Sequence, residues 1–213
     1  MIQCEKGKDV LPDRKEILEK AETTCPVNWA LSVADTARRE SCGKCVMCRE
    51  GTLQLYTIIS DITSGRGESD DPELILDLCS VIGETADCEM AREAAGSVRL
   101  SLETHRGDWD AHLLRKRCPA LVCSAYTTVV VLPDKCRGSG ECARICPEDA
   151  IAGSEGMIHV VDPGKCTRCG LCIEACPSGA VGKFGAVVPK TPESPIPVGS
   201  FEGEPVRRRR RRG

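Results

Sequence analysis

The sequence predicts an α+β fold in which a small helical bundle is followed by a smaller domain of short strands and cysteine-rich loops. Three observations support this prediction: apolar residues recur at helical spacing in the first half, two β-branched runs closed by proline lie in the second half, and 16 of the 213 residues are cysteine. Aromatic residues make up only 3% of the chain, so its core must consist mainly of Leu, Ile, Val and Ala.

Five segments are expected along the chain. They are a charged N-terminal extension at 1–24, a helical domain at 25–117, a hinge at 118–126, a second domain at 127–188 and a Pro- and Arg-rich tail at 189–213. Six arginines at 207–212 offset an otherwise acidic chain whose net charge is −3. Because no aromatic residues interleave with these arginines, we interpret the run as a solvated tail and do not expect a nucleic-acid site.

Three apolar stripes predict helices in the first domain. Within each stripe the residues recur every three or four positions, which is the period of one face of an α-helix. Each such face needs a partner that buries it, so the helices are expected to form a small bundle. The stripes are Leu55, Ile59 and Ile62; Ile75, Leu78 and Ile82; and Ala91, Ala95, Val98 and Leu102.

A secreted disulfide framework is one use for so many cysteines. The first 20 residues contain no apolar run that resembles a secretion signal, and no stretch of 18 or more apolar residues occurs that could span a bilayer. We therefore expect a cytoplasmic protein without a membrane span, with thiolates that are reduced or bound to metal.

The two β-branched runs, TTVVVLP at 127–133 and MIHVVDP at 157–163, are predicted strands, and each precedes a cysteine cluster. The clusters are copies of one another: KCRGSGECARICPEDAI at 135–151 aligns with KCTRCGLCIEACPSGAV at 165–181 at a constant offset of 30 residues. The second copy has the run C-x2-C-x2-C-x3-C-P, which is typical of two-cluster ferredoxins. We therefore expect a two-cluster ferredoxin-like domain.

The resemblance to such ferredoxins implies which thiolates share a cluster, because in those proteins the fourth cysteine of each run crosses to the other cluster. One cluster would then be held by Cys146, Cys166, Cys169 and Cys172, and the other by Cys136, Cys142 and Cys176. Ser139 stands where the second copy has Cys169. The second site is therefore expected to use a serine or solvent ligand, to hold a three-iron cluster, or to hold none.

A third cysteine motif lies in the helical domain. ESCGKCVMCREGT at 40–52 supplies Cys42, Cys45 and Cys48 at two-residue gaps, and Cys88 offers a fourth thiolate from farther along the chain. Zinc is the alternative occupant, although zinc sites generally use pairs of cysteines rather than a triple at this spacing. We expect a [4Fe-4S] cluster here, which makes three iron-sulfur clusters in the chain.

The stretch at 40–52 resembles the iron-sulfur-binding helical domain of the flavoprotein subunit of NADH:quinone oxidoreductase and of its relatives in soluble multimeric hydrogenases and NAD-dependent formate dehydrogenases. A helical domain followed by a ferredoxin domain, over residues 25–185, resembles the C-terminal part of the flavoprotein subunit of electron-bifurcating hydrogenases. The resemblance implies a four-iron cluster that takes electrons singly from reduced flavin. Because the sequence has no glycine-rich dinucleotide fingerprint, the flavin- and NADH-binding domain is expected on another subunit.

A candidate zinc site lies next to the hinge, because three thiolates and one imidazole make a closed tetrahedral ligand set. Its residues are Cys25, His112, Cys118 and Cys123. The bifurcating-hydrogenase subunits that the chain resembles carry a comparable set in the hinge that moves their ferredoxin domain. The alternative is three inert buried cysteines and a surface histidine.

Together these motifs predict an iron-sulfur electron-transfer subunit of a multi-subunit oxidoreductase, which relays single electrons between a partner's flavin or metal centre and a ferredoxin- or NAD-linked acceptor. No catalytic residue is identified. The expected partners are flavoprotein and catalytic oxidoreductase subunits, with soluble ferredoxin as a further candidate. Two alternatives stay open: a zinc-binding structural or adaptor protein, and a subunit whose unusual cluster at Ser139 binds substrate.

Overall fold

The computed structural model describes residues 10–13, 15 and 24–202. The chain divides into two compact units, with the boundary between Tyr126 and Thr127. Most of the charged N-terminal extension expected at 1–24, and the arginine run at 207–212, lie outside the described residues. In the described part of the chain, none of the helices combines the length and the hydrophobicity that a membrane crossing requires.

The regular elements of the first unit are helices joined by loops. Its elements are α1 (Pro26–Glu40), a π-helical segment (Met47–Gly51), α2 (Thr52–Thr63), α3 (Asp71–Thr85), α4 (Glu89–Thr104) and α5 (Arg106–Leu113). A single 3-10 turn, Ser124–Tyr126, ends the unit. The Tyr126 hydroxyl donates a hydrogen bond of 2.6 Å to the carbonyl of Ile62, which fixes this turn to the end of α2.

Local sequence explains where two of these helices begin. Pro26 opens α1, and proline is favoured there because the first turn has no intrahelical partner for its missing N–H. The sulfur of Cys25 caps the same turn by accepting a hydrogen bond of 3.5 Å from the amide of Asn28. Asp71 and Pro72 open α3 in a similar way, and the carboxylate favours the positive end of the helix dipole.

The three predicted stripes meet in one hydrophobic core. Every residue of these stripes is buried except Leu78, which is half-buried and packs against the edge of that core. The indole rings of Trp29 and Trp109 lie in or beside the same core. Burial of each large apolar side chain contributes about 1.5–3 kcal/mol to folding, so the stripes account for the association of α2, α3 and α4.

The second unit consists of short antiparallel strand pairs and two short helices. The pairs are β1 (Thr128–Val131) with β5 (Val181–Phe184), β2 (Ile151–Ala152) with β4 (Val160–Val161), and β3 (Met157–Ile158) with β6 (Ile196–Pro197). The helices are α6 (Glu141–Arg144) and α7 (Leu171–Glu174), and each follows the first part of a cysteine run.

The two halves of the second unit are built alike. The amide of Leu132 donates to the carbonyl of Ala180 at 2.7 Å, and the amide of Asp162 donates to the carbonyl of Ala150 at 2.8 Å. Leu132 and Asp162 are 30 positions apart in the chain, and so are Ala150 and Ala180. The sequence repeat is therefore also a repeat of backbone hydrogen bonding, with the two copies exchanging partners.

Two details of the second unit differ from a simple reading of the sequence. The run at 157–163 is not one strand, because it breaks at His159 between β3 and β4. The segment after residue 189 contributes β6, which pairs with β3. Part of the predicted tail is therefore a strand of this unit.

Candidate metal centres

The π-helical segment positions the upstream cysteines. Cys48 lies inside it and is buried, whereas Cys45 is half-buried and Cys42 is exposed in the loop ahead of it. A π turn shifts side chains away from the regular helical period, and such turns are frequent at functional sites. The Thr52 hydroxyl donates to the Cys48 carbonyl at 2.6 Å, which satisfies a backbone acceptor where the segment passes into α2.

Close packing against α3 holds the π-helical segment in place. A β-carbon at Gly51 would lie 2.8 Å from Cγ1 of Ile82, so a larger residue would push the two elements apart. Cys88 occupies the N-cap position of α4 and is buried in the same core as Cys48. The four predicted ligands therefore extend from the core of the first unit to its surface.

In the second unit, one group of cysteines surrounds Cys172. Burial raises the pKa of its thiol, and the charges of Cys166, Cys169 and Cys146 raise it further. These four residues also line a single cavity, together with Val129. Four thiolates that repel one another around one cavity fit a cationic iron-sulfur centre, which would relieve that repulsion.

The other group surrounds Cys142. Burial raises the pKa of its thiol to about 11, and repulsion from Cys176 and Cys136 adds to the effect. Cys176 comes from the second copy of the repeat, just as the first group takes Cys146 from the first copy. Cys176 of the second copy thus lies near Cys142 and Cys136 of the first, and Cys146 of the first copy lies near Cys172 of the second.

Backbone amides donate hydrogen bonds to the sulfurs of Cys146 and Cys176. The amide of Ala150 donates to Cys146 Sγ at 3.4 Å, and the amide of Ala180 donates to Cys176 Sγ at 3.3 Å. Burial would raise the pKa of the Cys176 thiol, but hydrogen bonds from Ser178 and from backbone amides lower it overall. These donors favour negative charge on sulfur, as a metal-bound thiolate requires.

Ser139 occupies a loop with the same backbone handedness as its counterpart. Gly138 at φ +68° and Gly140 at φ +76° flank it in the left-handed region, as Arg168 at φ +62° and Gly170 at φ +90° flank the corresponding cysteine. Both central residues are exposed. The Ser139 hydroxyl therefore stands at the position of the Cys169 thiol in a loop with matching signs of φ.

The four residues of the predicted zinc site come together in the first unit, and all are buried. Their ligand atoms lie within 4.8 Å of one another, and the residues are Cys25, His112, Cys118 and Cys123. The Nε2 atom of His112 lies 3.4 Å from the sulfurs of both Cys25 and Cys123, and those sulfurs are 3.7 Å apart. Tetrahedral zinc, with bonds of about 2.3 Å to sulfur and about 2.0 Å to nitrogen, needs separations of about 3.5–3.8 Å. The donor set therefore fits one zinc ion.

A hydrogen bond fixes the imidazole of this group. Nδ1 of His112 lies 2.7 Å from the carbonyl of Asp108, and a donated N–H here leaves Nε2 for a metal. The ring of Tyr126 meets the imidazole edge-on at 5.2 Å between centroids. His112 is thus a buried residue and not the surface histidine of the alternative interpretation.

Hydrogen bonding within the group redistributes its protons. Burial would lower the pKa of His112, but hydrogen bonds to Cys118 and Cys25 raise it to about 10. The pKa of Cys118 is lowered because Cys123 and Cys25 hydrogen-bond to it, and that of Cys123 is raised by the same contacts. The group thus already favours a buried thiolate, and a dication would displace the remaining protons.

Three further residues lie outside these sites. Burial raises the pKa of the Cys79 thiol to about 12, which is typical of an inert packing cysteine. Cys4 lies outside the described residues. The sequence predicted no functional role for His159, which is buried in the second unit. The signal that could have identified it is its alignment with Val129 in the repeat.

Two iron-sulfur families match the chain. Residues 28–112 match the NADH-ubiquinone oxidoreductase-F iron-sulfur binding region, and residues 128–177 match the 4Fe-4S dicluster domain. The first match contains Cys42, Cys45, Cys48 and Cys88, and the second contains all seven cysteines of the repeat.

The chain is also similar to subunits of several oxidoreductases. NADP-reducing hydrogenase subunit HndC of Solidesulfovibrio fructosivorans is 36% identical over 138 residues, which is 65% of this chain and 28% of that protein. The NADH-quinone oxidoreductase F subunit of Streptomyces coelicolor is 34% identical over 98 residues, which is 46% of this chain and 22% of that protein. NADP(+)-dependent formate dehydrogenase subunit beta of Moorella thermoacetica is 34% identical over 59 residues, which is 28% of this chain and 8% of that protein.

The chain spans at most 28% of the length of these relatives. Within that span the matches confirm the predicted α+β arrangement of a helical region followed by a ferredoxin-like domain. The chain therefore resembles, in order along its length, an NADH-ubiquinone oxidoreductase-F iron-sulfur binding region and a 4Fe-4S dicluster domain, and its predicted cluster ligands lie within these two matches.

Proposed function

We propose that this chain relays single electrons through three iron-sulfur clusters within a larger oxidoreductase. Clusters of this kind take up and release one electron at a time. The ligands of the first would be Cys42, Cys45, Cys48 and Cys88; those of the second Cys146, Cys166, Cys169 and Cys172; and those of the third Cys136, Cys142 and Cys176, with a serine or solvent ligand at Ser139.

The reciprocal grouping of cysteines in the second unit supports this proposal most directly. Cys146 lies among the thiols around Cys172, and Cys176 lies among those around Cys142. Two independent metal sites have no need to exchange a ligand between copies. Two cubane clusters at this cysteine spacing do, because the fourth thiolate of each run lies too far along the chain to close its own cage.

The protein controls the reduction potentials through burial, hydrogen bonds to sulfur and ligand identity. Amide donors at Cys146 and Cys176 stabilise negative charge on sulfur at equivalent positions of the two sites. The oxygen at Ser139 is the main chemical difference between them. The third cluster is therefore expected to have a reduction potential different from that of the second.

An apolar rim beside the first site would suit the approach of a redox partner. Cys42 is exposed, and Val46 and Leu53, which flank the π-helical segment in the chain, expose 60% and 43% of their surface. A partner that covers this rim would exclude water from the path between its own centre and the cluster. A short path is needed because electron transfer falls steeply with distance.

The relatives indicate what kind of complex to expect, since their names describe a hydrogenase, a quinone oxidoreductase and a formate dehydrogenase. We propose partner flavoprotein and catalytic subunits in the cytoplasm, an electron-bifurcating complex as the setting, and soluble ferredoxin as a further electron carrier. The electron donor and acceptor would then both belong to these partners.

We also propose a structural zinc ion at Cys25, His112, Cys118 and Cys123. The group joins the start of α1, the end of α5 and the segment that closes the first unit. Four protein ligands leave no open position, and zinc has no redox chemistry. The ion would therefore stabilise the first unit without carrying electrons.

An anaerobic reductive titration of the isolated chain tests the electron relay. We expect about three electrons per chain, one for each cluster, with electron paramagnetic resonance (EPR) signals that develop at more than one potential. Colourless protein that accepts no electrons and contains only zinc would support a zinc-binding adaptor instead. Turnover of a substrate by the isolated chain would support a substrate-binding cluster at Ser139.

A further inference from the structure

The internal repeat gives His159 a structural counterpart in the other half of the second unit. Residues 127–136 align with residues 157–166 at the offset of 30, so that His159 corresponds to Val129. The backbone follows the same equivalence, because the Cys136 amide donates to the carbonyl of Leu132 at 3.0 Å and the Cys166 amide donates to the carbonyl of Asp162 at 3.0 Å. The two positions therefore have equivalent places in the fold.

Val129 lines the cavity shared by the four cysteines of the second cluster. By the equivalence of the two halves, His159 faces the site of Cys136, Cys142 and Cys176. The sulfur of Cys136 lies 3.9 Å from the carbonyl oxygen of Met157, which precedes His159 by two residues. This contact independently places the segment that carries His159 beside the third cluster site.

The loop that carries Ser139 packs against the same segment. The Gly156 amide donates to the carbonyl of Gly138 at 2.9 Å, and a β-carbon at Gly138 would lie 2.7 Å from the backbone of Gly156. The half of the unit that lacks a thiolate is thus also the half in which an imidazole replaces valine.

The imidazole of His159 is buried and has no hydrogen-bond partner in the described part of the chain. The residue is 1% exposed, and neither ring nitrogen has a hydrogen-bond partner among the described residues. Leaving a buried polar group unsatisfied is unfavourable, and such groups are rare in native structures. Gly153 makes room for the ring, because a β-carbon there would lie 2.7 Å from Cδ2 of the histidine. The space beside Gly153 therefore holds an imidazole whose two nitrogens stay unpaired among the described residues.

We propose that His159 donates a hydrogen bond from an imidazole N–H to a sulfur of the cluster at Cys136, Cys142 and Cys176. This inference rests on the proposed function, because it requires a cluster at that site. Negative charge on the cluster sulfurs increases on reduction, so a donor stabilises the reduced form and raises the midpoint potential. A hydrogen bond is favoured over iron ligation because the ring is buried, whereas Ser139 at the ligand position is exposed.

Two substitutions separate hydrogen bonding from packing. His159→Val installs the residue of the equivalent position, and His159→Phe keeps a planar ring without nitrogen. We expect both to lower the midpoint potential of the third cluster while the other two potentials and the iron and sulfide contents stay unchanged. His105→Gln in the first unit is the matched control, and it should shift no potential.

Pulsed EPR supplies a second readout on the full chain. In protein labelled with ¹⁵N-histidine, we expect a weak nitrogen coupling to the reduced third cluster that both His159 variants lose. If all clusters are present but the potential of the third cluster does not shift in the variants and no nitrogen coupling is seen, this inference is wrong and the proposed function stands. A strong coupling, which is typical of a nitrogen bound to iron, would contradict the hydrogen bond and identify His159 as an iron ligand. Absence of any cluster on Cys136, Cys142 and Cys176 in the unmodified chain would overturn both proposals.

Discussion

The Nε2 atom of His112 lies 3.4 Å from the sulfur of Cys25, a residue 87 positions earlier in the chain. The sulfur of Cys123 lies at the same distance from that nitrogen. Because these groups come from opposite ends of the first unit, an ion bound between them would cross-link its folded chain. The stability of the first unit should therefore depend on this site.

Removal of one zinc ligand should release the metal. We expect Cys123→Ala to weaken zinc binding by more than about 100-fold, since loss of groups that merely orient ligands already costs 10–100-fold. The zinc content of the purified chain should fall from about one per chain, and its thermal midpoint should fall as well. Cys79→Ala is the control, because it removes a buried thiol outside the group. Equal zinc contents in the two variants would contradict the assignment.

The first iron-sulfur site should depend on Cys88. We expect Cys88→Ala to remove about four irons and one EPR signal while the two sites of the second unit are retained. Iron analysis together with EPR of the reduced protein measures both quantities. Cys79→Ala again serves as the control and should keep all the iron. Full retention of iron by the Cys88 variant would exclude this residue as a ligand.

Substitutions at Gly138 and Gly140 distinguish the cost of a steric contact from the cost of backbone strain. Gly138 and Gly140 both have left-handed φ values, but only at Gly138 would a β-carbon meet the backbone of another segment. We expect Gly138→Ala to lower the free energy of unfolding by about 1–3 kcal/mol more than Gly140→Ala does. Denaturant unfolding followed by cluster absorbance measures the difference. Equal losses would mean that the contact with Gly156 is unimportant.

Restoring a thiolate at position 139 should make the two ferredoxin sites alike. Because the side chain at this position changes from an oxygen to a sulfur donor, we expect Ser139→Cys to bring the midpoint potential of the third cluster closer to that of the second. If that cluster has three irons in the natural chain, the iron content should rise by about one per chain. Cys169→Ser is the reciprocal variant and should move the midpoint potential of the second cluster toward that of the third. An unchanged EPR spectrum and potential would show that position 139 does not face the cluster.

The ligand loops could be predicted from sequence because cysteine spacing alone restricts the chemistry they can perform. The triple spacing at Cys42, Cys45 and Cys48 and the repeat are local patterns that need no knowledge of the fold. The helices could also be predicted from the sequence, because the spacing of their apolar residues depends only on which face is buried. These features cover the predicted helical and ferredoxin-like regions.

The features that sequence reasoning missed depend on contacts between distant segments. The π-helical segment packs through Gly51 against Ile82, a contact that no local pattern reveals. Strand β6 forms because a proline-rich segment finds β3 as a partner, although its own composition disfavours a strand. The burial of His159 follows from the room left by Gly153. Each of these contacts exists only once the chain has folded.

The most direct test of the three-cluster proposal is the joint quantitation of iron, acid-labile sulfide and zinc in one anaerobically purified sample. We predict about 11–12 irons per chain with a similar amount of sulfide, together with about one zinc. Cysteines joined as disulfides, or a chain that contains zinc but neither iron nor sulfide, would contradict it.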